Sequence, residues 1–160
     1  MTYGLQTSYD SLFHKRTVHT GSQTGSGVGG GTVTILGSEA TYTPAAGASK
    51  VVYEINFFGQ RTDDVHNICF ILQHYVSGAW SEINNQNSRS SIVSGGGGQS
   101  NRDTYHLRLV VPAWTGARQL RLVLGTRVFD EYIILHQLTE WNGASSSSDF
   151  ADTTLIIYSV

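Results

Sequence analysis

Six histidines (His14, His19, His66, His74, His106 and His136) are the side chains of this sequence best suited to proton transfer or metal ligation near neutral pH. Their spacing contains no HExxH and no close HxH, the patterns that bring two imidazoles onto one metal. His74, His106 and His136 fall in strand-like segments, so a metal would need three strands to converge on it. Hydrogen-bonded or solvent-facing histidines are the expectation, with no metal bound within one chain. In a trimer, one histidine per subunit meeting on the threefold axis is the remaining route. Asp63-Asp64 beside His66 resembles an acid–base cluster, but adjacent carboxylates point apart, and GQRTDDVHN reads as a polar loop. Asp130-Glu131 reads the same way. Gly25-Ser-Gly27-Val-Gly-Gly30 formally matches a dinucleotide-binding pattern, yet a polar linker precedes it and a Thr/Val strand follows. Pyrophosphate binding needs a strand before and a helix N-terminus after. No Lys-Ser/Thr completes a phosphate loop, and no GxSxG elbow presents a serine nucleophile. The chain is expected not to be an enzyme, with no catalytic residue and no cofactor.

The elements that would position these groups are strands. Val51, Tyr53, Ile55 and Phe57 alternate with Glu54 and Asn56, the period of a half-buried strand. Asn67 to Val76 sets Ile68, Phe70, Leu72 and Val76 on one face and Asn67 and Gln73 on the other. Ser77-Gly78 then separates it from Ala79–Ile83, a hairpin signal. Tyr105, Leu107, Leu109 and Val111 alternate with His106 and Arg108, and Leu120, Leu122 and Leu124 repeat the pattern. Thr32–Leu36, Glu39–Tyr42, Val128–Leu138 and Thr153–Val160 complete the set, with no long amphipathic helix. About eight short strands with Gly/Ser turns predict an all-β antiparallel sandwich of jelly-roll type, with an up-and-down barrel as the alternative because strand order is not written in the sequence. The loops 84–103 and 141–152 are expected at its ends.

Composition narrows the function classes. Of 160 residues only 14% are charged, against about 25% in a typical soluble domain, and 18 are glycine. A net charge of −2 removes the broad electrostatic case for nucleic acid or an anionic membrane. No apolar run approaches the eighteen or so residues of a membrane helix. The single Cys69 excludes an internal disulfide and reads as a small buried hydrophobe. The opening residues show no basic region followed by an apolar one, so no signal peptide is expected and synthesis in a cytosol is. A charge-poor surface favours association.

Residues 1–31 read as an N-terminal arm and linker, and 32–160 as the sandwich. GSQTGSGVGGG (21–31) is too poor in side chains to pack, while Tyr3, Leu5, Tyr9, Leu12 and Phe13 ahead of it form stickers able to lie along a larger particle. Two strands are apolar on both faces. Tyr132, Ile134 and Leu138 share one face with Ile133 and Leu135 opposite, and Leu155-Ile-Ile-Tyr158 repeats the feature. Such strands need cover on both sides. The second cover is either the N-terminal arm or a neighbouring subunit, and Ile133, Leu135, Ile156 and Tyr158 are expected at a subunit interface. Trp114 and Trp141, beside turn residues, are the expected contacts for a receptor or glycan.

Ala40-Thr-Tyr-Thr-Pro44 followed by Lys50-Val-Val-Tyr-Glu-Ile-Asn-Phe57, with Leu135-His-Gln-Leu-Thr-Glu-Trp141 and Thr154-Leu-Ile-Ile-Tyr158 near the close, resembles jelly-roll head domains of viral structural proteins. These occur on fibres and as capsid decoration proteins, notably of marine bacteriophages, and are similar in fold to tumour-necrosis-factor and complement-C1q heads. The resemblance spans about residues 32–160. It implies a homotrimer attached to a capsid or tail protein of a virion assembled in the host cytoplasm, with a surface glycan or receptor as a second partner class. No coiled-coil or collagen-like shaft precedes the head, which favours a knob fixed directly to the particle.

Overall fold

The structure, a computed structural model, describes residues 12–26, 32–61, 68–83, 89–92, 102–126, 132–141 and 146–160. Every regular element among them is a strand. In chain order these are β1 (Phe13–Thr17), β2 (Gln23–Ser26), β3 (Thr32–Thr34), β4 (Ala40–Tyr42), β5 (Lys50–Arg61), β6 (Ile68–Val76) and β7 (Ala79–Glu82). Then follow β8 (Arg89–Ile92), β9 (Arg102–Pro112), β10 (Arg118–Thr126), β11 (Tyr132–Leu135), β12 (Gln137–Trp141), β13 (Ser146–Phe150) and β14 (Thr153–Ser159).

The strands form antiparallel sheets. The first sheet runs β1–β14–β5–β11–β2, with β9 also on β5. Strand β5 is its spine. Along one flank, Lys50–Gln60 pair with β9; along the other, Val51–Asn56 pair with β14 and Gly59–Arg61 with β11. The second sheet runs β3–β10–β6–β7, with β4 on β10 and β8 on β6. Strands β12 and β13 pair as a separate ribbon. The β6–β7 turn has φ of 55° at Ser77 and 85° at Gly78, the doubly positive turn whose twist suits a two-residue hairpin.

The core lies between the inward faces of the two sheets. Val51, Tyr53, Ile55 and Phe57 of β5 are all but sealed, as are Phe70 and Leu72 of β6 and Leu120, Leu122 and Leu124 of β10. The Phe57 and Phe70 rings meet edge to face at 5.5 Å, tying one sheet to the other. Each such side chain contributes about 1.5–3 kcal/mol on burial, so the alternation in sequence decides which face turns inward. Ser38 closes a gap in the second sheet. Its hydroxyl accepts from the Leu122 amide at 3.1 Å and donates to the Leu122 carbonyl at 3.3 Å, standing in for a strand between β3 and β4. Tyr53 donates to the Ser38 carbonyl at 2.5 Å, and burial pushes its phenol pKa far up, so it stays protonated.

Two expectations change here. Ile133 and Leu135 face inward, 1% and 0% exposed, and belong to the chain's own core instead of a subunit interface. Pairing of β11 with Gly59–Arg61 sets this register, and Gly59 supplies the room: a Cβ there would lie 2.8 Å from Ile133 Cδ1 and 2.7 Å from Tyr105 Cε2. The segment 1–31 is likewise not wholly an arm. Strand β1 pairs with β14 and β2 with β11, and Phe13 packs against the core, so it is not a free anchoring group. Leu12 is 56% exposed, and Tyr3, Leu5 and Tyr9 lie outside the described residues.

Candidate functional site

The most unusual chemistry in the described residues sits where β14 gives way to β11 along the flank of β5. His136 occupies this junction between β11 and β12, with φ of 65°, a left-handed backbone seldom adopted outside glycine. Its amide donates to the Phe58 carbonyl at 2.8 Å and its carbonyl accepts from the Ala151 amide at 2.9 Å, so both neighbours hold the kink. The imidazole is fully buried and stacks on that of His19, with centroids 3.8 Å apart and planes 12° apart. His19 comes from the link between β1 and β2 and is 8% exposed.

Thr153 joins the two rings. Its hydroxyl is 2.9 Å from His19 Nε2, 3.3 Å from His136 Nδ1 and 3.4 Å from the Leu36 carbonyl. The network closes when Thr153 gives its proton to Leu36 and accepts from both imidazoles; this tautomer is assigned from the partners present. Nε2 of His136 then keeps a bare lone pair, and it meets no hydrogen-bond partner among the described residues; nor does Thr17 Oγ1 nearby. Gly37 roofs the site with φ of 85°. A Cβ there would lie 2.9 Å from Thr153 Cβ and 3.0 Å from Thr17 Oγ1.

Charge is excluded from this pocket. Burial lowers the pKa of His136 to about 4, helped by the neighbouring His19. Burial lowers that of His19 as well, against the pull of Asp152, which itself pairs with Arg16. Both rings are neutral at pH 7. The other strand histidines do not join them. His74 accepts from Arg118 at 3.0 Å, and burial with that guanidinium lowers its pKa, while His106 stands exposed on β9. No group of three His, Cys, Asp or Glu among the described residues is placed to hold a metal. His66, Asp63, Asp64, Asp130 and Glu131 lie outside the described residues.

A second surface is defined by the outward face of the first sheet. Tyr158, Val52 and Val110 form one cross-strand row over β14, β5 and β9, with Ile156, Glu54 and Arg108 in the next. Arg108 Nε donates to Glu54 at 2.9 Å and the Tyr158 hydroxyl donates to the same oxygen at 3.1 Å. Beside them is an open groove of about 700 Å³, lined by Lys50, Val52, Arg108, Val110, Pro112 and Val160. Ile156 and Tyr158 are half-buried and Val160 is 58% exposed.

The tryptophans divide differently from expectation. Trp114 packs against the core with its ring edge to face with Tyr42 at 6.3 Å and Arg118 5.4 Å over it, so much of its surface is spent inside the chain. Trp141 ends β12, and its side chain lies outside the described residues. Trp80, two residues past the Ser77-Gly78 turn, sits on the outward face of the second sheet between exposed Tyr75, 5.4 Å away, and the Arg121 guanidinium at 4.2 Å. No family model matches the chain, and no curated protein matches it in sequence.

Proposed function

We propose that this chain is a non-enzymatic structural protein, a jelly-roll head that assembles with copies of itself, as a trimer, and decorates a capsid or tail surface of a virion. The observation that carries association is the outward face of β14 and β9, where half-buried Ile156, Tyr158 and Val110, with exposed Val160 nearby, put apolar area beside a groove on a protein with few charges to keep neighbours apart. Virion attachment rests on the resemblance of residues 32–160 to phage head domains, and the anchoring contacts fall to the segment ahead of β1. Association through such a face works by removing apolar area from water, at roughly 25 cal/mol per Å² before the losses of rotational and side-chain freedom.

Native mass spectrometry of the whole chain tests the reading. The expected result is a trimer mass that falls to the monomer in Ile156→Lys, a substitution on the outward face that leaves the core intact. A monomer mass for the unaltered chain at micromolar concentration overturns it. A second reading, a glycan-binding head, is favoured by Trp80 with Tyr75 and Arg121 on the opposite sheet, since aromatic faces beside a polar fork suit sugar rings. Glycan-array binding that disappears in Trp80→Ala supports that alternative.

A further inference from the structure

We propose that the stacked His19–His136 pair is an acid-released latch, holding β1 and β2 on the sandwich at neutral pH and letting them go on acidification. The inference is independent of the reading above. It stands on where the two rings come from: His19 belongs to the link between β1 and β2, and His136 to the junction of β11 with β12, over a hundred residues later. Their 3.8 Å stack and shared bond to Thr153 are therefore tertiary contacts between the N-terminal strands and the body of the fold.

Among the described residues the remaining ties of this segment are two short ladders, Phe13 against the core and a few side-chain bonds. Strands β1 and β2 are short and each pairs along one flank only, with β14 and β11. Gln23 of β2 donates to the Thr34 carbonyl at 2.6 Å and accepts from the Leu36 amide at 3.0 Å. Protonation changes the balance at one point. A proton on His136 Nε2 creates a buried N–H with no acceptor among the described residues, facing a second imidazole in van der Waals contact. A buried charge without a partner is expelled or exposed, and the movable side is the His19 link.

Asp152 pulls a proton toward His19, but burial outweighs that pull. Asp152, ahead of β14, is engaged by Arg16 of β1 at 2.5 Å; Lys15 of β1 reaches the backbone carbonyl of Glu39 at 3.2 Å. On the other sides stand Phe57 of β5, edge to face with His136 at 6.4 Å, Thr153 of β14 and the Leu36-Gly37 turn, none of them ionisable.

Amide hydrogen exchange of the full chain at pH 7.5 and 4.5, with labelling times corrected for intrinsic rates, tests the latch. The expected result is a loss of protection of at least tenfold in β1 and β2 at the lower pH, larger than the loss in β5 and β9. In the double variant His19→Gln/His136→Asn, which cannot be protonated there and keeps a residue tolerant of left-handed backbone, that loss disappears. Equal loss across all strands, no loss in β1 and β2, or a loss that persists in the variant overturns the proposal, the last because the Arg16–Asp152 pair then carries the response. If the variant does not fold, the imidazole resonances of the unaltered chain decide: titration of His136 near pH 6.5 overturns the latch, and titration below 5 together with loss of the β1 amide signals supports it.

Discussion

The two ends of β5 are built to opposite plans. From Val51 to Phe57 the inward face is apolar throughout and is backed by β14 on one flank and β9 on the other. A few residues on, at Phe58 and Gly59, the same strand borders a kinked histidine, a threonine shared by two imidazoles and two buried polar atoms that have no partner among the described residues. The first end is held by contacts that acid and salt hardly change. The second is held by groups whose stability depends on protonation. One strand thus carries a permanent core and a conditional one, and the conditional part is where the N-terminal strands attach.

The apolar end is the more costly of the two to disturb. Phe57 contacts Phe70 across the sheets at 5.5 Å and stacks on Tyr105 at 5.3 Å. Phe57→Ala is expected to cost about 3–5 kcal/mol, read as a lowered midpoint in urea at both pH 7.5 and 4.5. A cost below ~1 kcal/mol would show that the sheets are not joined there.

Acidification alone attacks the other end. The pKa of His136 falls from 6.5 in the unfolded chain to about 4 in the folded one, so between these values the unfolded chain binds more protons. Stability is fully present above pH 6.5, declines as the pH drops toward 4, and loses nothing further from this group below that. At 1.36 kcal/mol per unit the loss is about 3 kcal/mol, with His19 acting in the same direction. Urea unfolding across pH 4–7.5 measures it, and a flat profile over that range would contradict the neutral buried pair.

A smaller change sharpens the contrast from the roof of the pocket. Gly37→Ala forces a side chain into left-handed backbone, at about 1–2 kcal/mol, and onto Thr153 and Thr17. Thermal unfolding at pH 7.5 is expected to show this cost, and the pH dependence of stability should flatten as the Thr153 bridge is disturbed. Unchanged stability would mean that the roof gives way freely.

The legible part of this fold was the part governed by period-two alternation. Val51 to Phe57, Tyr105 to Val111 and Leu120 to Leu124 turn the expected faces inward because pleat geometry leaves an apolar alternating strand one way to bury its side chains. The Ser77-Gly78 hairpin was legible for a similar local reason. Strands apolar on both faces defeat that logic. In β11 either register buries hydrophobes, and the choice fell to Ile133 and Leu135 because Gly59, on a strand some seventy residues earlier, left a space of the right shape.

The histidine site shows the limit most plainly. Neither His19 nor His136 carries a spacing signal, since imidazoles from the two halves of a chain meet only when sheet topology brings their segments together. Local chemistry determined that this protein is an all-β, charge-poor chain with these inward-facing side chains, because burial and backbone pleat act over a few neighbouring residues. Only the tertiary structure decided which strands flank β5, that β1 and β2 join the first sheet, and that two neutral imidazoles share one threonine, because those outcomes depend on pairings between segments far apart in sequence.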